Sequence, residues 1–290
     1  GSGANISANV NYAPWYANEA FTTIRTDASG TIQAAVDAAK PGDSIIAEDG
    51  NYGSVTVDKS GITLKPLQTA TTEISQVDIG ADGVTLNNFT IKPSETYGVL
   101  ISANNAVINA SIFDSQDQEI DGIRISGGSS DPLVADNTFK NIGGSSKGIV
   151  SYGSEGTTNN LEVDNNTFTK VPFGVYIAQT GGEAANWNIE ENEFSEIAKA
   201  SIAFGVPLGL GLDLNTFTVV ENNFNDKSTK GVALSSQGNP NYQGSLNATL
   251  NYWGDASGPG GEGLGTGANV SENVTYNPFY ADKDLTIIDI

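Results

Sequence analysis

The chain has 290 residues and sets 34 Asp plus Glu against 13 Lys plus Arg, a formal net charge of -21. Such a surface repels a phosphate backbone and an anionic bilayer, which excludes nucleic acid as a partner. With no Cys, Met or His, the chain lacks a disulfide framework, thiolate chemistry, the commonest zinc ligand and the commonest general base.

No apolar run reaches the roughly 20 residues of a membrane helix, so no membrane insertion is expected. Without a signal peptide the chain reads as a mature or excised piece of an extracellular or cell-surface protein. Charged residues make up 16%, and 34 glycines accompany many Asn, Ser and Thr, a profile of short strands and turns.

In chain order, residues 1–28 form a proline-aromatic tail that opens GSGANISANVNYAPWYANEAFT. A short helix follows over 31–39: Ile32, Ala35, Val36 and Ala39 share one face, and Pro41 and Gly42 stop it. From there a motif recurs, as VADNTF at 134–139, VDNNTF at 163–168, IEENEF at 189–194 and VVENNF at 219–224. Aligned on the aromatic, it places Phe89, Phe113, Phe139, Phe168, Phe194, Phe224 and Trp253 at intervals of 24 to 30 residues. A second series keeps step with it: Gly98, Gly122, Gly148, Gly174, Ser201 and Gly231, each before aliphatic residues.

Repeats of this length without helical periodicity predict a solenoid, its strands stacked coil on coil at ~4.8 Å. The phenylalanines then form an internal stack. Asn137, Asn166, Asn192 and Asn222 are expected at a turn, in left-handed backbone, with their amides bonded up the column.

Near the end, GTGANVSENVTYNPFYADKDLT at 265–286 repeats the opening segment at an offset of 264, with Gly, Ala, Asn, Ser, Val, Tyr, Pro and Tyr in register. Residues 263–290 are therefore expected to be a second tail, and copies of the chain are expected to meet through the tails. Either the chain is one ~264-residue unit of a tandem array, or both ends of a free-standing subunit carry the same module.

These features resemble the right-handed parallel β-helix proteins of the pectate-lyase-like superfamily, particularly its secreted and cell-surface members, over roughly residues 30–260. TIQAAVDAAKPGDSIIAEDGNY at 31–52 is similar to the segment that opens such proteins, and NYWGDASGPGG at 251–261 to one that closes their coils. The resemblance implies an all-β fold: a single right-handed parallel β-helix solenoid over 29–262 with a short N-terminal capping helix.

Folds of this kind often host polysaccharide lyases and hydrolases, so enzyme chemistry has to be looked for residue by residue. A lyase needs a Lys or Arg base and commonly calcium. Arginine occurs only at Arg25 and Arg124, and the places equivalent to Arg124 read Leu100, Val150, Tyr176 and Leu234, so Arg124 reads as a salt-bridge partner. A hydrolase needs converging carboxylates. Asp136, Glu191 and Glu221 stand just before the recurring asparagine, and Asp164 and Glu190 one place earlier. These acids read as solvated turn residues first and as calcium ligands second, and no residue is assigned a catalytic role.

Tyr97, Tyr152, Tyr176 and Trp187 are candidates for an exposed platform that stacks sugar rings. The apolar stretch IAFGVPLGLGLDL at 202–214 reads as a loop or cap. The expected function is a non-catalytic secreted structural or adhesive module, with calcium as candidate cofactor; the alternative is a polysaccharide-binding or polysaccharide-degrading β-helix.

Overall fold

The computed structural model describes residues 14–20, 22–26, 30–68, 72–152, 158–178, 184–205, 211–227, 229–234 and 241–290. Within them the chain winds as an all-β, right-handed parallel β-helix with a single short helix near its start. One ladder, the first sheet, runs in parallel from Thr23–Arg25 to Val274–Thr275, with the antiparallel Trp15–Tyr16 strand at its outer edge. Its inward positions stack Ile24, Ile45, Leu64, Leu86, Ile108, Val134, Val163, Ile189 and Val219, each at most 1% exposed. The apolar residue that opens the recurring motif is this column, and its regular return fixes the register of the coils.

The second sheet has two arms. One carries the phenylalanines on short strands such as Ile112–Asp114 and Thr138–Lys140; the other carries the glycines on Tyr97–Ile101, Asp121–Ser126 and Lys147–Tyr152. The arms fuse where one long strand spans both, as in Thr167–Ala178 and Glu193–Gly205.

Phe113, Phe139, Phe168, Phe194, Phe224 and Trp253 stack in one buried column, with successive ring centroids 4.7, 4.8, 4.9, 5.4 and 4.8 Å apart. Phe89 is not part of it. Phe113 pairs with Ile91, and Phe89 lies beneath Ser111, two residues out of the aromatic column. An aliphatic side chain fills the stack at that coil, so aligning on the nearest aromatic shifted the register there.

The glycine series exists because these rings need its space. A Cβ at Gly122, Gly148 or Gly174 would stand 2.8, 2.6 or 2.5 Å from the ring of Phe139, Phe168 or Phe194. By the same register Ser201 faces Phe224, and there the ring spacing opens to 5.4 Å.

The asparagine amides bond up the column as expected, but the left-handed position is not theirs. The left-handed residue is the one before each of them: Asp136, Asn165, Glu191 and Glu221 have φ of 58, 49, 56 and 57°. That turn aims Asn137, Asn166, Asn192 and Asn222 inward, where each is buried. Each Nδ2 donates at 3.0 Å to the Oδ1 of the next asparagine, a ladder that continues to Asn251. The same amides also donate to carbonyls of their own and the preceding coil, as Asn192 does to Glu190 and Val163. Carbonyls of the first-sheet strands next to the corner, and the backbone N–H of the corner asparagines themselves, as Asn166 N to Asn192 Oδ1, thus find partners. A non-glycine left-handed residue costs ~1 kcal/mol, comparable with the net worth of one such bond.

At the first end the helix Ile32–Ala38, N-capped by Thr31 Oγ1 accepting from Ala34 N, buries Ile32, Ala35 and Val36 against the open coil. At the other end both sheets run past the expected boundary between 262 and 263. Gly267–Val270 pairs in parallel with Lys230–Leu234, and Val274–Thr275 with Leu246–Asn247. Of the 202–214 stretch, Ile202, Phe204, Leu212 and Leu214 are buried, and 206–210 lie outside the described residues.

Candidate functional site

Three features outside the core bear on function: the outer face of the glycine arm, the columns of acids at the turn, and the two chain ends.

On the outer face, Asp121 lies at one end of its strand, and its carboxylate is 2% exposed. Asp121 Oδ2 accepts from Arg124 Nε at 2.8 Å and from the Tyr152 hydroxyl at 3.4 Å, and Oδ1 accepts from Lys147 N at 2.9 Å. The Arg124 guanidinium lies 5.4 Å from the ring centroids of both Tyr97 and Tyr152, and Lys147 Nζ lies 5.4 Å from that of Tyr176. Burial pushes the hydroxyls of all three tyrosines above their usual range; the carboxylates of Asp78 and Asp121 push further on Tyr97 and Tyr152 respectively. The arrangement is an alternation of rings and cations anchored on one buried acid.

Tyr97, Tyr152 and Tyr176 are therefore outward and half-buried, with cations against their rings. Trp187 is not with them. It occupies an inward place in the first sheet, 1% exposed, and its Nε1 donates to Thr158 O at 3.1 Å. The reason is strand parity: Trp187 precedes the column residue Ile189 by two, which puts both on the same face. Arg124 is the salt-bridge partner expected from the sequence, and the unforeseen part is the identity of its acid, Asp121, although DGIR spells the pair. The register also places Ala203 and Ala233, in place of Leu234, at positions equivalent to Arg124.

The acids do share a face. Asp164 pairs with Glu190 across adjacent coils, and Asp136 accepts from Asn165 Nδ2 at 2.6 Å. Burial, followed by the charges of Glu191, Glu190, Asp136 and Glu162, raises the Asp164 carboxyl above its ordinary range. Glu191 and Glu221 line a cavity of about 300 Å³ with Asn223, Tyr280 and Leu285. Among the described residues no three acidic side chains converge as a metal cage.

At the ends the sequence repeat becomes a structural one. Trp15–Tyr16 pairs antiparallel with Thr23–Arg25, as Trp15 with Arg25 and Tyr16 with Ile24. Phe279–Tyr280 pairs antiparallel with Ile288–Asp289, as Phe279 with Asp289 and Tyr280 with Ile288. Each residue of the second hairpin is the first plus 264. The turns match too: Asn18 Oδ1 accepts from the backbone N of Thr22 and Thr23, both at 3.0 Å, and Asp282 Oδ1 from those of Thr286 and Ile287, both at 2.9 Å. Residues 1–13 of the first copy lie outside the described residues.

The family model described as right handed beta helix region matches residues 41–194 and 78–249. The chain belongs to that right-handed β-helix family. Similar solved structures include a mannuronic acid specific polysaccharide family 6 lyase from human gut microbiota, at 12% identity over 79% of this chain and 80% of that one (TM-score 0.33). The catalytic domain of a GH87 alpha-1,3-glucanase in complex with tetrasaccharides is 14% identical over 94% and 70% (TM-score 0.34). A PL6 family alginate lyase is 10% identical over 88% of this chain (TM-score 0.33), and this chain spans 53% of it. No curated protein matches the chain.

Proposed function

We propose that the chain is a non-catalytic extracellular structural or adhesive module, one unit of an array built from copies of itself through the terminal segments. The observation that supports this reading is the recurrence of one hairpin, in one register, at both ends of a single β-helix. The repeats add to it: their most regular residues are spent on internal columns, so adding coils adds length and stiffness. Calcium is the proposed cofactor of the acid columns, where Asp164 and its neighbours would lose mutual repulsion to a divalent cation. Melting with and without calcium tests that part, with a rise in midpoint as the expected result.

A second reading, polysaccharide binding or cleavage on the glycine-arm face, is favoured by the ring and cation alternation of Tyr97, Arg124, Tyr152, Lys147 and Tyr176. Incubation with a panel of plant and algal polysaccharides separates the two. The module reading expects no new sugar ends; release of unsaturated or reducing ends contradicts it.

A further inference from the structure

The two copies of the hairpin are engaged on opposite sides. In the first copy the second strand is the working one: Thr23–Arg25 pairs in parallel with Ser44–Ala47, as Thr23 with Ser44, Ile24 with Ile45 and Arg25 with Ile46, and Thr26 N donates to Ile46 O. In the last copy the first strand is the working one: Tyr280 bridges in parallel to Tyr252, and Tyr280 N donates to Asn251 O at 3.0 Å, seating the hairpin on the last coil. The second strand there, Ile288–Asp289, pairs only with Phe279–Tyr280 among the described residues.

The side chains follow the same division. Ile24 is 1% and Thr26 0% exposed, whereas their counterparts Ile288 and Ile290 are 51% and 96% exposed, with Ile287 beside them at 59%. An open strand edge lined by isoleucines is a template for another strand.

We infer that the hairpin is a joint shared by two β-helices, and that the edge at 287–290 receives the Ser44–Ala47 strand of a second copy of this unit. The two ends of one molecule display the two halves of that joint. The register is set by the first copy: Ile287 opposite Ser44, Ile288 opposite Ile45, Asp289 opposite Ile46. One residue resists the fit between identical copies. Arg25 donates to Glu48 at 2.7 Å, and Asp289 stands in its place, bringing two carboxylates together. Asp289→Arg therefore tightens the joint.

This inference rests on the array reading and deepens it. In the intact chain the Ser44–Ala47 edge is already covered by its own first hairpin, so the test opens that edge in the full-length chain. Ile24→Asp places a charge in the buried column and expels the strand; sedimentation velocity is expected to show head-to-tail species that grow with concentration. Adding Ile288→Asp returns the chain to monomer, adding Asp289→Arg strengthens association several-fold, and wild-type chain, whose own edge is closed, shortens the species. A folded, monomeric Ile24→Asp chain, or association that survives Ile288→Asp, overturns the joint.

If Ile24→Asp does not fold, a two-unit chain decides, with residues 27–290 following residue 290. Backbone amides at 288 and 290 are expected to exchange as slowly there as those of Ile24 and Thr26; exchange as fast as in the single unit overturns the joint. Failure of the joint leaves the non-catalytic reading standing, whereas release of sugar ends sinks that reading and leaves the joint untouched.

Discussion

Ile24 and Ile288 hold the same place in two copies of one hairpin, yet Ile24 is sealed in the first sheet and Ile288 is half exposed beyond the last coil. Truncation should therefore cost very different amounts. Ile24→Ala is expected to destabilise the chain by about 2–4 kcal/mol, and Ile288→Ala by under about 0.5 kcal/mol. Denaturant unfolding of the two variants checks the difference.

The asparagine ladder should be the least replaceable polar feature. Asn192 donates to Asn222, Val163 and Glu190 and accepts from the Nδ2 and backbone N of Asn166. Asn192→Ala strands buried groups in two coils and is expected to cost about 3 kcal/mol or more. An exposed control, Asn225→Ala, should change the unfolding free energy by under about 0.5 kcal/mol.

Gly148 leaves room for the Phe168 ring and the Gly174 carbonyl, each within 3 Å of where a Cβ would sit. Gly148→Ala is expected to lose about 1–3 kcal/mol through overpacking. Combined with Phe168→Leu, the loss should fall short of the sum of the two single losses, because the smaller side chain relieves the clash.

Much of this architecture was legible in the sequence, because a coil needs a core filler, a small residue and a corner residue once per turn. Phe113 through Trp253 and Gly98 through Gly231 are those requirements written out. Phe89 misled because residue type was aligned where spacing from the first-sheet column was needed: Ile91, five residues after Leu86, holds the place that Phe113 holds after Ile108. Trp187 was misplaced for the same reason. The asparagine ladder was legible, but the left-handed position was read one residue late, since asparagine suits a buried ladder and a left-handed turn alike and composition does not separate the two. The Asp121–Arg124 pair depends on how far one side chain reaches along a strand, which no repeat announces.

Asp164 should titrate in the direction that weakens the folded state as pH rises. Its folded carboxyl sits above its ordinary range, so its favourable contribution is present at low pH and is lost as pH rises through the raised value. Asp164→Asn is expected to stabilise the chain at neutral pH by about 0.2–1 kcal/mol, the range for like charges facing across strands. That gain should shrink as pH falls toward about 4, the ordinary carboxylate range. Unfolding free energies over that interval, variant against wild type, provide the check.

Asp121 depends on Arg124 for its charge partner, at 2.8 Å and nearly sealed from solvent. Arg124→Ala leaves that carboxylate buried and is expected to cost about 3 kcal/mol. Asp121→Asn combined with Arg124→Ala should recover part of the loss, measured by thermal unfolding of the single and double variants.

The shared joint is tested most directly by electron cryomicroscopy of a two-unit chain in which residues 27–290 follow residue 290. The expected result is a continuous sheet across the joint, with Ile287, Ile288 and Asp289 paired in parallel to the second unit's counterparts of Ser44, Ile45 and Ile46. A second unit tethered away from the first, with the 287–290 edge still in solvent, would contradict it.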